Sequence, residues 1–298
     1  MKGFLQNCPT YLANGMLVGC LYALIAMGFN IIYSSTGVIN FAQGEFAMLG
    51  ALLAYQLAAR AGLPVLLAAS LSVTITAVIG IMVERAVIFP LRRTPVINMI
   101  IGTIGVSILL KSLARVIWPE EAYNVPPFTQ GTFDFLGVTQ RYQGLWVISL
   151  TAAAVVLTYL FFQRTMTGKA MKACSINRQA ASLVGINVSR MSMYAFALSA
   201  ALAAAGGLIN APAASYGMGL GLGISGFTAA VVGGLGSPFG AVVGGLTIGL
   251  LESVITGFLQ VVLGVSSGYG EAVIPFVLVL MLLLRPQGLL GRGEKIRV

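Results

Sequence analysis

Long apolar stretches separated by short polar ones run through the whole chain. Runs of about 20 apolar residues are long enough for a membrane-spanning helix, and such runs are predicted at 11–33, 65–89, 96–118, 143–162 and 191–211. Further apolar runs end near residue 60 or cover 222–235, 241–263 and 272–284, and the run 222–235 is shorter than a full span needs. None alternates like a barrel strand. The pattern predicts an all-α polytopic transmembrane bundle of eight or nine spans, some short or broken, in a single domain over residues 1–298.

Two stretches interrupt this apolar pattern with polar and glycine residues: SSTGVINFAQGEF at 34–46 and GGLGSPFG at 233–240. Unwound backbone at membrane depth is tolerated where protein buries it or where it lines a cavity. The first break is therefore a pathway candidate, with helix capping as the alternative, and the second allows either close packing or contact with a polar solute. The candidate pathway residues are Asn40, Gln43, Glu45, Gly233, Gly234, Gly236, Ser237 and Glu252.

Ionisable side chains inside apolar runs are the other candidates, because charge is costly within a bilayer. Glu252 lies near the middle of GGLTIGLLESVITGFL. Its carboxyl group is expected to be protonated, hydrogen-bonded between helices, or exposed to a water-filled path. Glu84 and Lys111 lie near span ends, where the sequence predicts that they snorkel towards water.

Composition and charge support the membrane assignment and predict an orientation. The chain is 58% hydrophobic and 8% charged, and its net charge of +9 is concentrated between the spans. The loop 164–190 carries five basic residues and no acidic one. Because basic loops stay on the cytoplasmic side, the pattern predicts an outer N-terminus and an inner C-terminus. Membrane topology explains these charges better than nucleic-acid binding does.

The same loop contains a predicted short helix at the membrane surface, from Lys169 to Val184. Its small residues form a face on which a partner can dock, its basic residues face lipid phosphates, and Gly185 is expected to end it. An ordinary solvated loop is the alternative.

Several chemistries are disfavoured by what the sequence lacks. There is no histidine, and the three cysteines, Cys8, Cys20 and Cys174, have no metal-ligand spacing. No GxxxxGK[ST] motif is present, and a GxGxxG match at 221–226 falls in a glycine-rich apolar run without a βαβ context. With no catalytic constellation, the chain is not expected to be an enzyme or to bind a cofactor itself.

Five ordered motifs resemble the permeases of branched-chain amino-acid ABC importers, specifically the shorter of the two permeases. They are TGVINFAQGEFAMLGA, ERAVIFPLRRTP, GKAMKACSINRQAASLVGI, FTAAVVGGLGSPFGAVVGGLTIGLLE and LRPQGLLGR, and together they cover nearly the whole chain. The third motif resembles the segment through which such permeases couple to their ATPases. The resemblance implies ATPase-coupling roles within 164–190 for Lys169, Lys172, Ala173, Arg178, Ala180, Ala181, Gly185 and Ile186.

The resemblance also implies an assembly and a location. The chain is expected in a bacterial inner membrane with a second homologous permease, two cytoplasmic ATPase subunits that bind ATP, and a periplasmic solute-binding protein. It would pass branched-chain or other hydrophobic amino acids into the cytoplasm by alternating access. The alternatives are a permease for urea, short amides or another small solute, and an ion-coupled carrier or channel in which Glu45 or Glu252 titrates.

Overall fold

Helices make up most of the computed structural model, which describes residues 2–119, 122–135, 138–209, 214–264, 272–285 and 287–290. The helices are α1 (Lys2–Thr36), α2 (Gln43–Tyr55), α3 (Val65–Val83), α4 (Phe89–Leu91), α5 (Val96–Ile117), α6 (Tyr142–Arg164), α7 (Met166–Ile176), α8 (Arg178–Leu183), α9 (Val188–Ile209), α10 (Met218–Gly233), α11 (Pro238–Leu263) and α12 (Val273–Leu284). A π-helical turn at Gln56–Arg60 extends α2, and another at Glu84–Ile88 joins α3 to α4.

The helices long and apolar enough to cross a membrane number six within these described ranges. They are Asn7–Thr36, Val65–Leu91, Val96–Ile117, Tyr142–Arg164, Val188–Ile209 and Pro238–Val261. The remaining apolar runs form shorter helices: α2 has 13 residues, α10 has 16 and α12 has 12. The predicted helical bundle with short helices is confirmed. The first interruption is narrower than predicted, because α1 continues to Thr36 and α2 already begins at Gln43.

Helix α1 is the centre of the bundle. In the most apolar 18-residue stretch of α1, 83% of the residues are buried inside the bundle. The same fraction is 17% in α5 and in α6. It packs along α11 through Gly15 and Gly19, which face Gly249 and Gly245 respectively. A Cβ at any of these four glycines would overlap backbone of the other helix. Glycines spaced by four residues thus let the two helices approach closely.

The replacement Gly245→Ala tests this packing. The new Cβ would overlap the backbone of Ala23, whereas a Cβ at Gly221 on α10 has no atom within 4 Å. We expect Gly245→Ala to lower the free energy of unfolding by about 1–3 kcal/mol, a typical cost of overpacking. The control Gly221→Ala should leave it unchanged or raise it by up to about 1 kcal/mol through helix propensity. Equal melting temperatures for the two purified variants would contradict the packing account.

The connection between α5 and α6 contains a β-hairpin that the sequence did not predict. Strand β1 (Thr132–Phe135) pairs antiparallel with β2 (Val138–Arg141), and strands of four residues carry little periodicity. A backbone bridge between Tyr123 and Ala214, with N···O distances of 2.7 and 3.0 Å, ties this connection to the segment before α10. Part of the motif LRPQGLLGR lies outside the described ranges, at Pro286, Gly291 and Arg292.

The prediction that Glu84 snorkels towards water is wrong. It lies in the π-helical turn after α3 and is only 2% exposed. Its Oε2 lies 3.8 Å from Nε of Arg85 and has no hydrogen-bond partner among the described residues. The packing of α3 against α9 encloses this carboxyl group, which proximity to a span end did not reveal.

Candidate functional site

The first helix break lies deep inside the bundle. Gly37, with φ of +72°, follows α1, and Oδ1 of Asn40 accepts a hydrogen bond from the Ala42 amide at 3.1 Å before α2 begins. The Gln43 amide group donates to the Ser199 carbonyl at 3.2 Å, and the Ser199 hydroxyl donates back at 2.8 Å. Ser199 lies roughly 16 Å along α9 from its start at a rise of 1.5 Å per residue. Helix α2 therefore begins near mid-bundle.

Glu45, in the first turn of α2, is enclosed on several sides. Its side chain is 1% exposed, and the Ser107 hydroxyl of α5 donates to its Oε1 at 3.0 Å. Its other oxygen lies against Gly219 of α10, where a Cβ would have no room. This oxygen has no hydrogen-bond partner within the described part of the chain. An ionisable group in this position is a functional candidate by default.

A polar stripe on α5 faces this break. Thr103, Ser107 and Lys111 recur every four residues, so they share one face of the helix. Thr103 accepts a hydrogen bond from the Phe41 amide at 3.2 Å, Ser107 binds Glu45, and the charge of Lys111 acts on the same carboxyl group. Sequence reasoning missed Thr103 and Ser107. Their spacing from Lys111 was the available signal.

The break holds two buried polar atoms without a hydrogen-bond partner among the described residues. One is a donor, Nδ2 of Asn40, and the other is an acceptor, Oε2 of Glu45. Leaving such an atom unsatisfied costs about 1–3 kcal/mol. A polar solute that supplies both an acceptor and a donor at this break would remove that cost.

Glycines close the first turn of α2 against α10. A Cβ on Gly44 would overlap the carbonyl of Gly219 and the backbone of Gly223. Two of the GxGxxG glycines are thus helix-packing positions on α10, Gly223 against Gly44 and Gly226 against Ile25 of α1, whereas Gly221 packs against none of the described residues. Glu45 is therefore covered by α10 at Gly219 and by α5 at Ser107.

The second break, 234–237, is held by a residue that the sequence analysis did not select. The Asn30 amide of α1 donates to the carbonyls of Ser237 at 2.9 Å and Gly234 at 3.4 Å, and its Oδ1 accepts from the Gly236 amide at 3.1 Å. Gly234 and Gly236 have φ of +105° and +88°, a region that favours glycine. The sequence did not indicate a role for Asn30, because only the tertiary fold brings this residue next to the loop.

Two further contacts fix the second break. The Ser237 hydroxyl caps α11 by accepting from the Gly240 amide at 3.1 Å. The amides of Leu289 and Leu290 donate to the carbonyls of Val232 and Gly233 at 2.7 and 3.1 Å, so the segment after α12 covers the end of α10. These contacts favour the close-packing interpretation of the glycine-rich loop.

The replacement Asn30→Ala should loosen this loop. It leaves the Gly236 amide and the Ser237 carbonyl without their partner, at about 1–3 kcal/mol for each group. We expect faster amide hydrogen exchange across 233–240 and a lower melting temperature. Ser34→Ala is the control, since its hydroxyl makes only an exposed 3.5 Å contact to the Gly236 carbonyl. If both variants exchange at the same rate, Asn30 does not hold the loop.

Glu252 on α11 lies apart from both breaks. The Tyr22 hydroxyl of α1 donates to its Oε2 at 2.8 Å. Of the three predicted states, the structure therefore shows a hydrogen bond between helices. Helix α1 touches all three groups of candidates, through Tyr22 at Glu252, Gly28 at Gln43 and Asn30 at the glycine loop.

The loop 164–190 forms two helices rather than the single helix predicted from Lys169 to Val184. Thr165 caps α7 by accepting from the Gly168 amide at 2.9 Å, and Asn177 caps α8 by accepting from the Ala180 amide at 2.9 Å. Asn177 interrupts the run because a capping side chain competes with the helical backbone. Gly185, with φ of +85°, follows α8, as its predicted role as a C-cap requires.

The small-residue face of this loop is partly turned into the chain. Ala181 is 4% exposed and packs in the main core, and Ala173 and Ile186 are half-buried. Ala180, Lys169, Lys172, Arg178 and Gly185 are exposed. The apolar side chains that face outwards are instead Ile176, Leu183 and Val184, which are 81%, 89% and 76% exposed.

Arg178 links this loop to the first break. Its guanidinium donates to the carbonyl of Thr36, the last residue of α1, at 3.1 Å. A cation at a helix C-terminus also stabilises the helix dipole. Three residues lie between Thr36 and Asn40, so this bond joins α8 to the start of the break.

Cys174 in α7 is buried, and this burial raises the pKa of its thiol, which nearby Arg178 partly offsets. The thiol therefore stays protonated and unreactive at neutral pH. Groups of three or more metal-ligating side chains do not occur in the described residues.

Comparison with known proteins gives consistent matches along the chain. Residues 11–284 match the family described as branched-chain amino acid transport system, permease component. The chain is 34% identical to the high-affinity branched-chain amino acid transport system permease protein BraD of Pseudomonas aeruginosa, with 95% of each chain covered. It is 30% identical to the permease protein LivH of Escherichia coli K12, with 94% of each covered.

One solved structure has a similar fold. It is PsaBC from Streptococcus pneumoniae in complex with Fab, with a TM-score of 0.55, 14% identity and 96% of both chains covered.

Proposed function

Because the chain belongs to the family of branched-chain amino acid transport permease components, we propose that it carries branched-chain or similar hydrophobic amino acids across the membrane by ATP-driven alternating access. ATP would be bound and hydrolysed by separate subunits. The observation that carries this proposal is the break at Asn40–Glu45, a buried helix interruption near mid-bundle. It holds one donor and one acceptor that have no hydrogen-bond partner in the part of the chain that the structure describes.

A zwitterionic amino acid requires partners for both of its charges. In this proposal the Glu45 carboxylate pairs with the ammonium group as it passes, and Asn40 Nδ2 donates to the carboxylate of the solute. The positive end of α2 adds to the second interaction. Lys111 lies on the same face of α5 as Ser107, so its ammonium group adds positive charge beside Glu45 in this proposal.

The glycine contact between α2 and α10 closes the solute pathway at the first break. Gly44, Gly219 and Gly223 bring the helices close enough to cover the first turn of α2. Transport would require α10 to separate from α2, which would expose Glu45. The second break, at 234–237, lies at the other end of α10 and serves as a fixed hinge held by Asn30. Glu252, bonded to Tyr22, is assigned a structural role.

Coupling to ATP hydrolysis is assigned to α7 and α8. Ile176, Leu183 and Val184 provide the exposed apolar contact for an ATPase subunit, in place of the small residues expected from sequence. The basic residues around them complement acidic groups on that partner. The bond from Arg178 to the Thr36 carbonyl passes the movement of α8 to the first break.

The proposed assembly places the chain in a bacterial inner membrane, with the basic loop 164–190 inside and the N-terminus outside. A second homologous permease would cover exposed apolar surface on α5 and α12, such as Ile108, Leu109, Phe276 and Leu283. A periplasmic binding protein would deliver the solute at the outer face, near the turn after Leu63 and the hairpin between α5 and α6.

Uptake of labelled leucine into proteoliposomes that contain the purified complex tests the function. Uptake should require luminal ATP, and isoleucine and valine should compete with it. Competition by urea or short amides, without competition by isoleucine, would favour a permease for those solutes. Leucine flux that follows a proton gradient without ATP would instead favour an ion-coupled carrier.

A further inference from the structure

A cavity of about 410 Å³ lies beside α7, away from the first break. It is enclosed by the second half of α1, the second half of α6, α7 and the start of α11. Its inner part is apolar, with Met27, Ile31, Val155 and Phe162 in its lining, and its polar end carries Ser34 and Lys172. Its lining includes Ile176 of the proposed ATPase contact and Gly236 and Ser237 of the second break, but no residue from 40 to 45.

The position of the cavity places its mouth at the surface of the membrane. Helices α1 and α6 end beside it at Thr36 and Arg164, and α11 begins beside it at Pro238. The wall formed by α6 belongs to one of the least buried long helices, and Tyr159 at the rim is 63% exposed. Because this side of the bundle is both exposed and apolar, we expect it to face the acyl chains of the bilayer.

The positive charge at the mouth of the cavity indicates the class of ligand that it would bind. Lys172 is exposed at this mouth. It forms no salt bridge with any described residue; the salt bridge that these residues contain joins Glu84 and Arg85. The sequence from 164 to 190 contains no carboxylate to pair with it. The hydroxyls of Ser34 and Ser175 line the same end of the cavity. The Ser175 hydroxyl already donates to the Lys172 carbonyl at 2.8 Å, so the Lys172 ammonium group is the main candidate to bind a phosphate. The apolar interior suits a hydrocarbon chain.

We propose that this cavity binds one anionic phospholipid, with its phosphate at Lys172 and an acyl chain between α1 and α6. Given the orientation proposed above, the lipid comes from the cytoplasmic leaflet, where basic pockets between helices recognise such head groups. The bound lipid joins α7 to α1 and to the start of α11. It therefore stiffens the connection through which α7 and α8 act on the bundle.

Titration of the delipidated full chain with phosphatidylglycerol and phosphatidylcholine, followed by native mass spectrometry, tests the proposal. We expect one phosphatidylglycerol to bind at least tenfold more tightly than phosphatidylcholine. Lys172→Gln should remove this preference. The matched control Lys169→Gln, an exposed lysine on the same helix that does not line the cavity, should retain it.

A second pair of variants tests the apolar half of the site. Val155→Trp fills the cavity, whereas Val156→Trp adds the same side chain at a neighbouring position that is 54% exposed and outside the lining. Only Val155→Trp should lose the tightly bound lipid. If Lys172→Gln and Lys169→Gln lose the preference for phosphatidylglycerol equally, general surface charge explains that preference and the proposal is overturned. Displacement of the lipid by free leucine would also overturn it, by making the cavity a solute site.

Discussion

Leu183→Asp is expected to separate the chain from its ATPase subunits without unfolding it. Leu183 is 89% exposed at the end of α8, so an aspartate there is solvated in the isolated chain and costs little stability. In an apolar docking contact the same carboxylate is buried without a partner. Truncation or disruption of such a contact residue costs about 2 kcal/mol or more, roughly 30-fold in affinity.

Co-purification of ATPase subunits with the tagged chain measures this effect. The native chain should retain them and Leu183→Asp should lose them at equal membrane insertion. Met166→Asp is the matched control, because Met166 is also an exposed apolar residue of this segment, at 83%, but lies at the opposite end, where α7 begins. If Leu183→Asp and Met166→Asp retain the ATPases equally, α8 does not form the contact.

Glu45→Gln should reduce leucine uptake about 10- to 100-fold in the assembled transporter. The amide keeps the size of the side chain and can still accept from the Ser107 hydroxyl, so the fold is preserved. It loses the negative charge that pairs with the ammonium group. A hydrogen bond to a charged group contributes about 1.5–3 kcal/mol, and each 1.4 kcal/mol is a factor of ten.

Glu252→Gln is the matched control for Glu45→Gln. It makes the same chemical change in a carboxyl group whose described partner is the Tyr22 hydroxyl. Its uptake should stay within about threefold of native, since an amide oxygen still accepts that bond. The ATPase rate and melting temperature of both variants should stay near native. Equal loss of uptake from both variants would contradict the different roles assigned to these carboxylates.

The sequence predicts the helical segments well because each apolar run meets a single strong constraint, the thickness of the bilayer. The predicted spans 65–89, 96–118 and 143–162 differ from the observed helices by one to three residues, once the π-helical turn after α3 is included. The shortness of α10 was also expected, from its glycine-rich run of 222–235. These features depend on local composition.

The candidate site is formed by contacts between segments that are distant in sequence. The sequence alone therefore identified only some of its residues. It selected Glu45 and Gln43 from the polar break, but their partners Ser107 and Ser199 lie 62 and 156 residues away. Ala181 was assigned to an outer face, yet it packs inwards because Asn177 ends the first helix and redirects the second. Which face of a short surface helix is buried is decided by its neighbours.

The central claim is that the amino acid passes the break at Asn40–Glu45, and thiol labelling at this break tests it most directly. Ala42→Cys, a small change at a buried residue of the break with no assigned solute contact, would be introduced into a full transporter whose own Cys8, Cys20 and Cys174 are replaced by serine. The account predicts that a membrane-impermeant thiol reagent labels residue 42 from one side in one nucleotide state only, and that leucine slows the labelling. Absence of labelling in every nucleotide state, or labelling that leucine does not change, would contradict it.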